Sequence, residues 1–161
     1  MRKLILAALI TCGFASAAQA QNVHIGPPAA PIAMAVTVPA GSDMIYVSGI
    51  TPSPVPGGAA GAPPVYGDTK TQVASILAKI KDILAAQGYG FGDVVMMRVC
   101  LVGDPALGGK MDFPGMMAAY TQEFGTAAQP NKPARITTQV AALAGPGLLA
   151  EIEVQAAKAH K

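Results

Sequence analysis

Arg135, Thr137 and Gln139 alternate with Ile136, Thr138 and Val140 along one β-rich run, so the three polar side chains share a face. A second run, Glu151-Ile152-Glu153-Val154, sets two acids on one face against two apolar residues on the other. A guanidinium can hold a carboxylate through two parallel charge-assisted hydrogen bonds, and a glutamate can take the proton that an attacking water must lose. The same residues also suit a solvated sheet edge carrying Arg–Glu pairs of little energetic weight. The pattern alone leaves both readings open. The setting makes the cluster stand out, since only 12% of the 161 residues are charged and 52% are hydrophobic.

Other chemistries find little support. No G-x-x-x-x-G-K-[ST] phosphate loop and no G-x-S-x-G elbow occurs. Two His and two Cys are too few for a zinc finger or ribbon. His24 and His160 lie near the two ends of the exported chain without a Cys or carboxylate at metal spacing, and they read as mobile terminal residues. No metal and no cofactor is therefore expected. Cys100 lies in an apolar run with no His near it in sequence, and it reads as a buried, inert thiol.

The first 20 residues read as an address. Met1-Arg2-Lys3, an apolar stretch to about Ala18 and the A-x-A site Ala18-Gln19-Ala20 are the parts of a secretory signal peptide, with cleavage expected after Ala20. The expected location is periplasmic or secreted, with no membrane association after cleavage. The whole chain has a formal charge of +2, but loss of Arg2 and Lys3 leaves nine basic and nine acidic residues. A neutral chain is a poor nucleic-acid binder, because that affinity rests largely on phosphate neutralisation. Cleavage also removes Cys12, so no intramolecular disulfide can form.

The elements that must position the polar cluster follow from periodicity. Residues 21–40 read as a Pro-rich extended lead-in and a first strand around Val36 and Val38, and residues 41–157 as the main domain. Gly41-Ser42-Asp43 reads as a turn into a strand over Met44–Gly49. The Pro/Gly run at 52–64 must be a surface loop. Val73, Ile76, Leu77, Ile80, Ile83 and Leu84 predict one face of a helix, with Thr69 and Gln72 as a capping box and Gly88 as the stop. A strand over 94–102 and a second helix over about 113–124 follow, the helix carrying a stripe of Phe113, Met116, Met117, Tyr120 and Phe124 that reads as core. Strands over 134–140 and 148–156, joined by Ala144–Gly147, complete a β-β-α-β-α-β-β order. This predicts an α+β domain with two helices on one face of a mixed sheet. The other face would be left bare, so self-association is expected.

The ordered set Ile45-Tyr46-Val47-Ser48-Gly49, the Gln72–Leu84 helix with Gly88, Asp93-Val94-Val95, Pro133-Ala134-Arg135, Val140-Ala141-Ala142-Leu143 and Glu151-Ile152-Glu153 resembles the RidA (YjgF-like) family over roughly residues 41–156. The resemblance implies a chorismate-mutase-like fold and a homotrimer with ligand clefts between subunits. It implies hydrolysis of amino-acid enamines or imines, such as 2-aminoacrylate, to 2-oxo acids and ammonia. Arg135 would bind the carboxylate of a small-molecule substrate and Glu151 would position the water. Ser48, Gly49 and Thr137 would line the cleft, and Glu153 would be structural. Two other readings are a non-catalytic trimer that binds small carboxylates, in a chaperone-like role, and an endoribonuclease. The chain departs from the family pattern at Gly26-Pro27-Pro28-Ala29, which lacks an aromatic, at Met117 in place of Asn, at Thr137 in place of Cys or Ser, and in the longer segments 52–64 and 103–110.

Overall fold

The computed structural model describes residues 21–57 and 61–159. The expected signal peptide and its expected cleavage site after Ala20, Cys12, His160 and the middle of the Pro/Gly loop lie outside the described residues. Six strands and two helices follow in the order β1 (Val23–Ile25), β2 (Ala35–Thr37), β3 (Asp43–Ile50), α1 (Thr69–Ala86), β4 (Val94–Val102), α2 (Phe113–Glu123), β5 (Ala134–Val140) and β6 (Ala150–Lys158). Four strands form one mixed sheet in the order β3-β6-β4-β5, with β6 antiparallel to both neighbours and β4 parallel to β5. Both helices lie over one face of this sheet, as the sequence predicts.

The α1 helix buries Val73, Ile76, Leu77, Ile80 and Leu84, whereas Ile83 stays exposed at the margin of the stripe. Its start differs from the expected capping box. Asp68 is the cap, accepting from the Thr71 amide at 2.8 Å, and hydrogen bonding from the Thr71 side chain, with this amide bond second, holds its carboxyl below the usual carboxylate range. Gln72 is instead fully buried, and its amide ties the helix to two loops. It donates to the carbonyls of Gly67 and Gly147 and accepts from the Leu149 amide. Gly88, at φ +78°, ends the helix with paired bonds from Gly88 N to Ala85 O and from Tyr89 N to Leu84 O.

Gly41-Ser42-Asp43, read as the turn between the first two strands, does not join them as a hairpin. The lead-in itself contains a strand, β1, and β2 pairs with it rather than with β3. The amide and hydroxyl of Ser42 both bind the Pro39 carbonyl and close a bend between β2 and β3. Three-residue strands between prolines carry too little periodicity to register in the sequence. This small hairpin is fastened to the body by Asn22 on Ala157 O, by His24 Nδ1 on Lys132 O at 2.7 Å, and by Lys132 Nζ on the carbonyls of Pro28 and Ala30. His24 is thus a half-buried anchor and not a mobile terminal residue.

Along β6, Ala150, Ile152, Val154 and Ala156 are buried beneath the helices, while Glu151, Glu153 and Gln155 point to the other face. That face is open in a single chain and carries Tyr46 at 70% and Ile136 at 45% exposure.

Candidate active site

Strand β5 separates its side chains as its alternation predicts. Arg135, Thr137 and Gln139 are in register with Met97, Val99 and Leu101 of β4, which are buried beneath the helices. Ile136 and Thr138 are in register with Arg98 and Cys100 on the open face. The sequence does not reveal that β4 lies between β5 and β6. The two polar strands are therefore not neighbours, and the alternative reading of a solvated edge with Arg–Glu pairs does not hold for Arg135 among the described residues. Glu153 pairs instead with Arg98 at 3.3 Å, across the β4–β6 register.

Arg135 sits on the face of α2. Its guanidinium lies 4.4 Å above the Tyr120 ring centroid and 6.0 Å from that of Phe113. Its Nη2 donates to Met117 Sδ at 3.2 Å. The two ion pairs among the described residues, Lys81–Glu123 and Arg98–Glu153, both leave Arg135 out. Burial pulls the Arg135 pKa below its usual value, and the same burial pushes the Tyr120 phenol up to about 12. Arg135 Nη1, Tyr120 Oη and Thr137 Oγ1 are all buried without a hydrogen-bond partner. An unpaired buried donor costs about 1–3 kcal/mol, and more when charged. Arg135 Nη1 and Tyr120 Oη belong to one stacked pair, and unpaired donors on such a pair are what an acceptor anion would satisfy.

The remaining predicted residues gather elsewhere. Val47 pairs with Val154 and Ile50 with Ile152, so Ser48 and Gly49 together oppose Glu153 in a β-bulge. Gly49 lies directly against Glu151, and a Cβ there would collide with Glu151 Oε1. Its missing side chain is thus what allows the carboxylate to rest on the backbone of β3. Gly49 also lines a groove of about 450 Å³ with Ile50, Thr51, Lys79, Asp82 and Ile83. Cys100 is the register partner of Glu151 on the open face, half-buried and not enclosed as the sequence suggested.

The predicted residues thus form two groups. Arg135 and Thr137 are together on the helix face, and Gly49, Ser48 and Glu151 are together on the open face. From Arg135 to Glu151 the sheet runs two strands across and three residues along, about 10 Å in each direction. One chain does not bring them onto one small molecule.

Sequence reasoning missed Met117 and Tyr120 as neighbours of the arginine. The signal was present in the spacing of Phe113, Met117 and Tyr120 at i, i+4 and i+7, but it merged with the core stripe. In the structure that stripe divides, with Met116 and Tyr120 buried and Phe113 41% exposed. The segment 103–110 is held by Gln139, which donates to Gly109 O and accepts from Met111 N, each at 2.9 Å.

Comparison with known proteins matches this architecture. A family profile described as Endoribonuclease L-PSP fits residues 25–158. A RutC family protein of Pyrococcus horikoshii, PH0854, is 37% identical over 94 residues, covering 58% of this chain and 66% of that protein. Among solved structures, the Rid-family protein YyfB of Yersinia pestis, of unknown function, superposes with a TM-score of 0.62 at 26% identity, over 85% of this chain and 98% of the other. TdcF of E. coli, solved with bound serine, superposes with a TM-score of 0.55 at 26% identity, over 85% and 99%.

Proposed function

The chain belongs to the Endoribonuclease L-PSP family, the Rid/YjgF group, and from that premise we propose that it hydrolyses enamine or imine forms of amino acids to 2-oxo acids and ammonia. The observation that carries this reading is the half-buried Arg135 guanidinium, which has no acidic partner among the described residues and lies on the Tyr120 ring, whose buried hydroxyl is likewise unpartnered. Such a site favours a carboxylate, and serine bound to TdcF is one small molecule that carries one. Because Arg135 and Glu151 lie on opposite faces, the substrate is held between two copies of the chain. A homotrimer with shared clefts is the assembly we propose, its open sheet faces covered by neighbours. The working form is the exported chain beginning at Gln21, in the periplasm or outside the cell.

In this reading Arg135 fixes the substrate carboxylate with two bonds, and the Thr137 hydroxyl supports it. Glu151 of the adjoining copy accepts a proton as water adds to the imine carbon. It returns that proton to the nitrogen, giving the tetrahedral carbinolamine, and then passes the proton of the new hydroxyl to the same nitrogen, so that ammonia departs as the carbon–nitrogen bond breaks and the ketone forms. RNA cleavage is a weaker reading, because the exported chain carries equal numbers of acids and bases.

The test is ammonia release from imino acids generated in place by an amino-acid oxidase, with the chain from residue 21. Arg135→Ala should lower kcat/KM by at least 100-fold, and Arg135→Lys by roughly 10-fold or more because the paired geometry is lost at about 1.5–3 kcal/mol per charged bond. Wild-type protein that leaves the spontaneous rate unchanged would overturn the proposal.

A further inference from the structure

A thioether stands against the Arg135 guanidinium where an acid would usually be found. Met117 Sδ accepts from Arg135 Nη2 at 3.2 Å, while Nη1 is buried and has no acceptor. Sulfur is a weak acceptor for a charged donor. It is also the oxidisable atom of the side chain, and one added oxygen makes that side chain polar. The methionines differ in how far an oxidant can reach them. Met34 and Met44 are exposed and lie ahead of β2 and on β3, Met97 and Met116 are fully buried, and Met117 is half-buried. The guanidinium beside Met117 is held in place. It lies 4.4 Å above the Tyr120 ring, which is itself stacked on Phe124 with centroids 4.8 Å apart and planes 11° from parallel. An oxygen added to Met117 Sδ therefore meets a fixed cation with a donor to spare.

We propose that Met117 is a redox modification site, and that its sulfoxide oxygen pairs with the Arg135 guanidinium and closes it to carboxylates. The closure rests on the reading of Arg135 as the carboxylate anchor; the pairing itself does not. The oxidant is a hydroperoxide, small enough to reach a half-buried sulfur. One lone pair of Sδ is engaged by Nη2, and the other attacks a peroxide oxygen. The O–O bond breaks, sulfur loses two electrons and the peroxide gains them. The hydroxide that leaves takes the proton of the sulfur-bound hydroxyl, so the products are sulfoxide and water. The rotatable bonds of methionine let the new oxygen turn toward Nη1 and Nη2, both charged donors. An acceptor tethered to the same chain pays no association entropy, so it competes well with any carboxylate that enters. Methionine sulfoxide is reducible back to the thioether, so the closure is reversible.

The experiment treats the exported chain with hydrogen peroxide and maps sulfoxide at each methionine by peptide mass spectrometry. Met117 should convert after Met34 and Met44 and well before Met97 and Met116. Pyruvate binding by calorimetry and imino-acid turnover are then compared with each protein's own untreated form. In wild type, oxidation of Met117 should weaken binding and lower kcat/KM by at least about tenfold, the weight of one charged hydrogen bond. Met117→Leu keeps the volume without the sulfur, so the same treatment should cost it under about twofold. Melting temperature supplies a readout that needs no ligand. Oxidation of Met117 should lower it by at least about 3 °C more in Arg135→Ala than in wild type, because only wild type pairs the new oxygen. If untreated wild type binds and turns over, an oxidised form that does both equally well, or an equal loss in Met117→Leu, overturns this inference while the deaminase reading stands. So does a Met117 that converts only together with Met97 and Met116. Untreated wild type without binding or turnover overturns the deaminase reading. The difference in melting temperature then supports the sulfoxide–arginine pairing by itself, and its absence overturns both.

Discussion

Gly49→Ala separates the position of Glu151 from the stability of the fold. The new Cβ would stand 2.9 Å from Glu151 Cδ and 3.2 Å from Cγ, with Oε1 closer still, against an ordinary contact range of 3.4–4 Å. The carboxylate end is flexible, so it swings aside and the backbone stays in place. The required movement is on the order of 1 Å, and a reacting group misplaced by that much typically costs about 100-fold in rate. Stability should move the other way. Gly49 is not among the residues with positive φ, so alanine fits its backbone and gains about 0.4–1 kcal/mol by restricting the unfolded chain. The expected result is a kcat about 100-fold lower in the imino-acid assay, with a melting temperature equal to or above that of the wild type. Glu151→Gln should lower kcat similarly, and the double variant should be no worse than Glu151→Gln alone, because both remove one function. A Gly49→Ala protein that melts normally and keeps its activity would refute the role given to the Gly49–Glu151 contact.

Other outcomes follow from separate parts of the structure. Gln72→Ala strands the two carbonyls and the amide that Gln72 now satisfies, so guanidinium unfolding should show a loss of about 2–4 kcal/mol, and a loss below 1 kcal/mol would contradict the account of that residue. Ile136→Asp puts a charge on the open sheet face without disturbing the core, so sedimentation should report monomers and activity should fall with assembly. A trimer that survives this change would place the interface elsewhere. Tyr120 has its folded pKa raised to about 12, above its ordinary value of 10.0, so its contribution to stability is complete below pH 10 and is lost as pH rises toward 12. That loss amounts to about 2–3 kcal/mol, and alkaline unfolding of Tyr120→Phe should lack it.

The sequence makes local periodicity legible and leaves strand adjacency hidden. Period-two alternation put Arg135, Thr137 and Gln139 on one face and Glu151 with Glu153 on another, and the structure keeps both groupings. What alternation lacks is any reference between strands, since it assigns each strand two faces without saying which is covered. The helix stripe of Val73 to Leu84 was legible because its five buried positions share one period. The capping role of Asp68 was missed because Thr69 and Gln72 fit the capping-box spacing equally well, and only the long-range bonds of Gln72 remove it from consideration. His24 was misread for a related reason, because its partner, the Lys132 carbonyl, is remote in sequence and belongs to the backbone.

The division of the site between two faces constrains assembly and catalysis together. If Arg135 and Glu151 both act on one substrate, no monomer can be active, however well it folds, because its sheet stands between them. Arg135 can still bind a carboxylate alone, since its unpaired Nη1 and the Thr137 hydroxyl belong to one chain. Dissociated protein should therefore retain weak carboxylate binding and lose turnover entirely. A site contained within one chain would lose neither on dissociation, and a purely structural arginine would show no binding in either state. Carboxylate binding and imine hydrolysis measured on Ile136→Asp monomers separate these three cases.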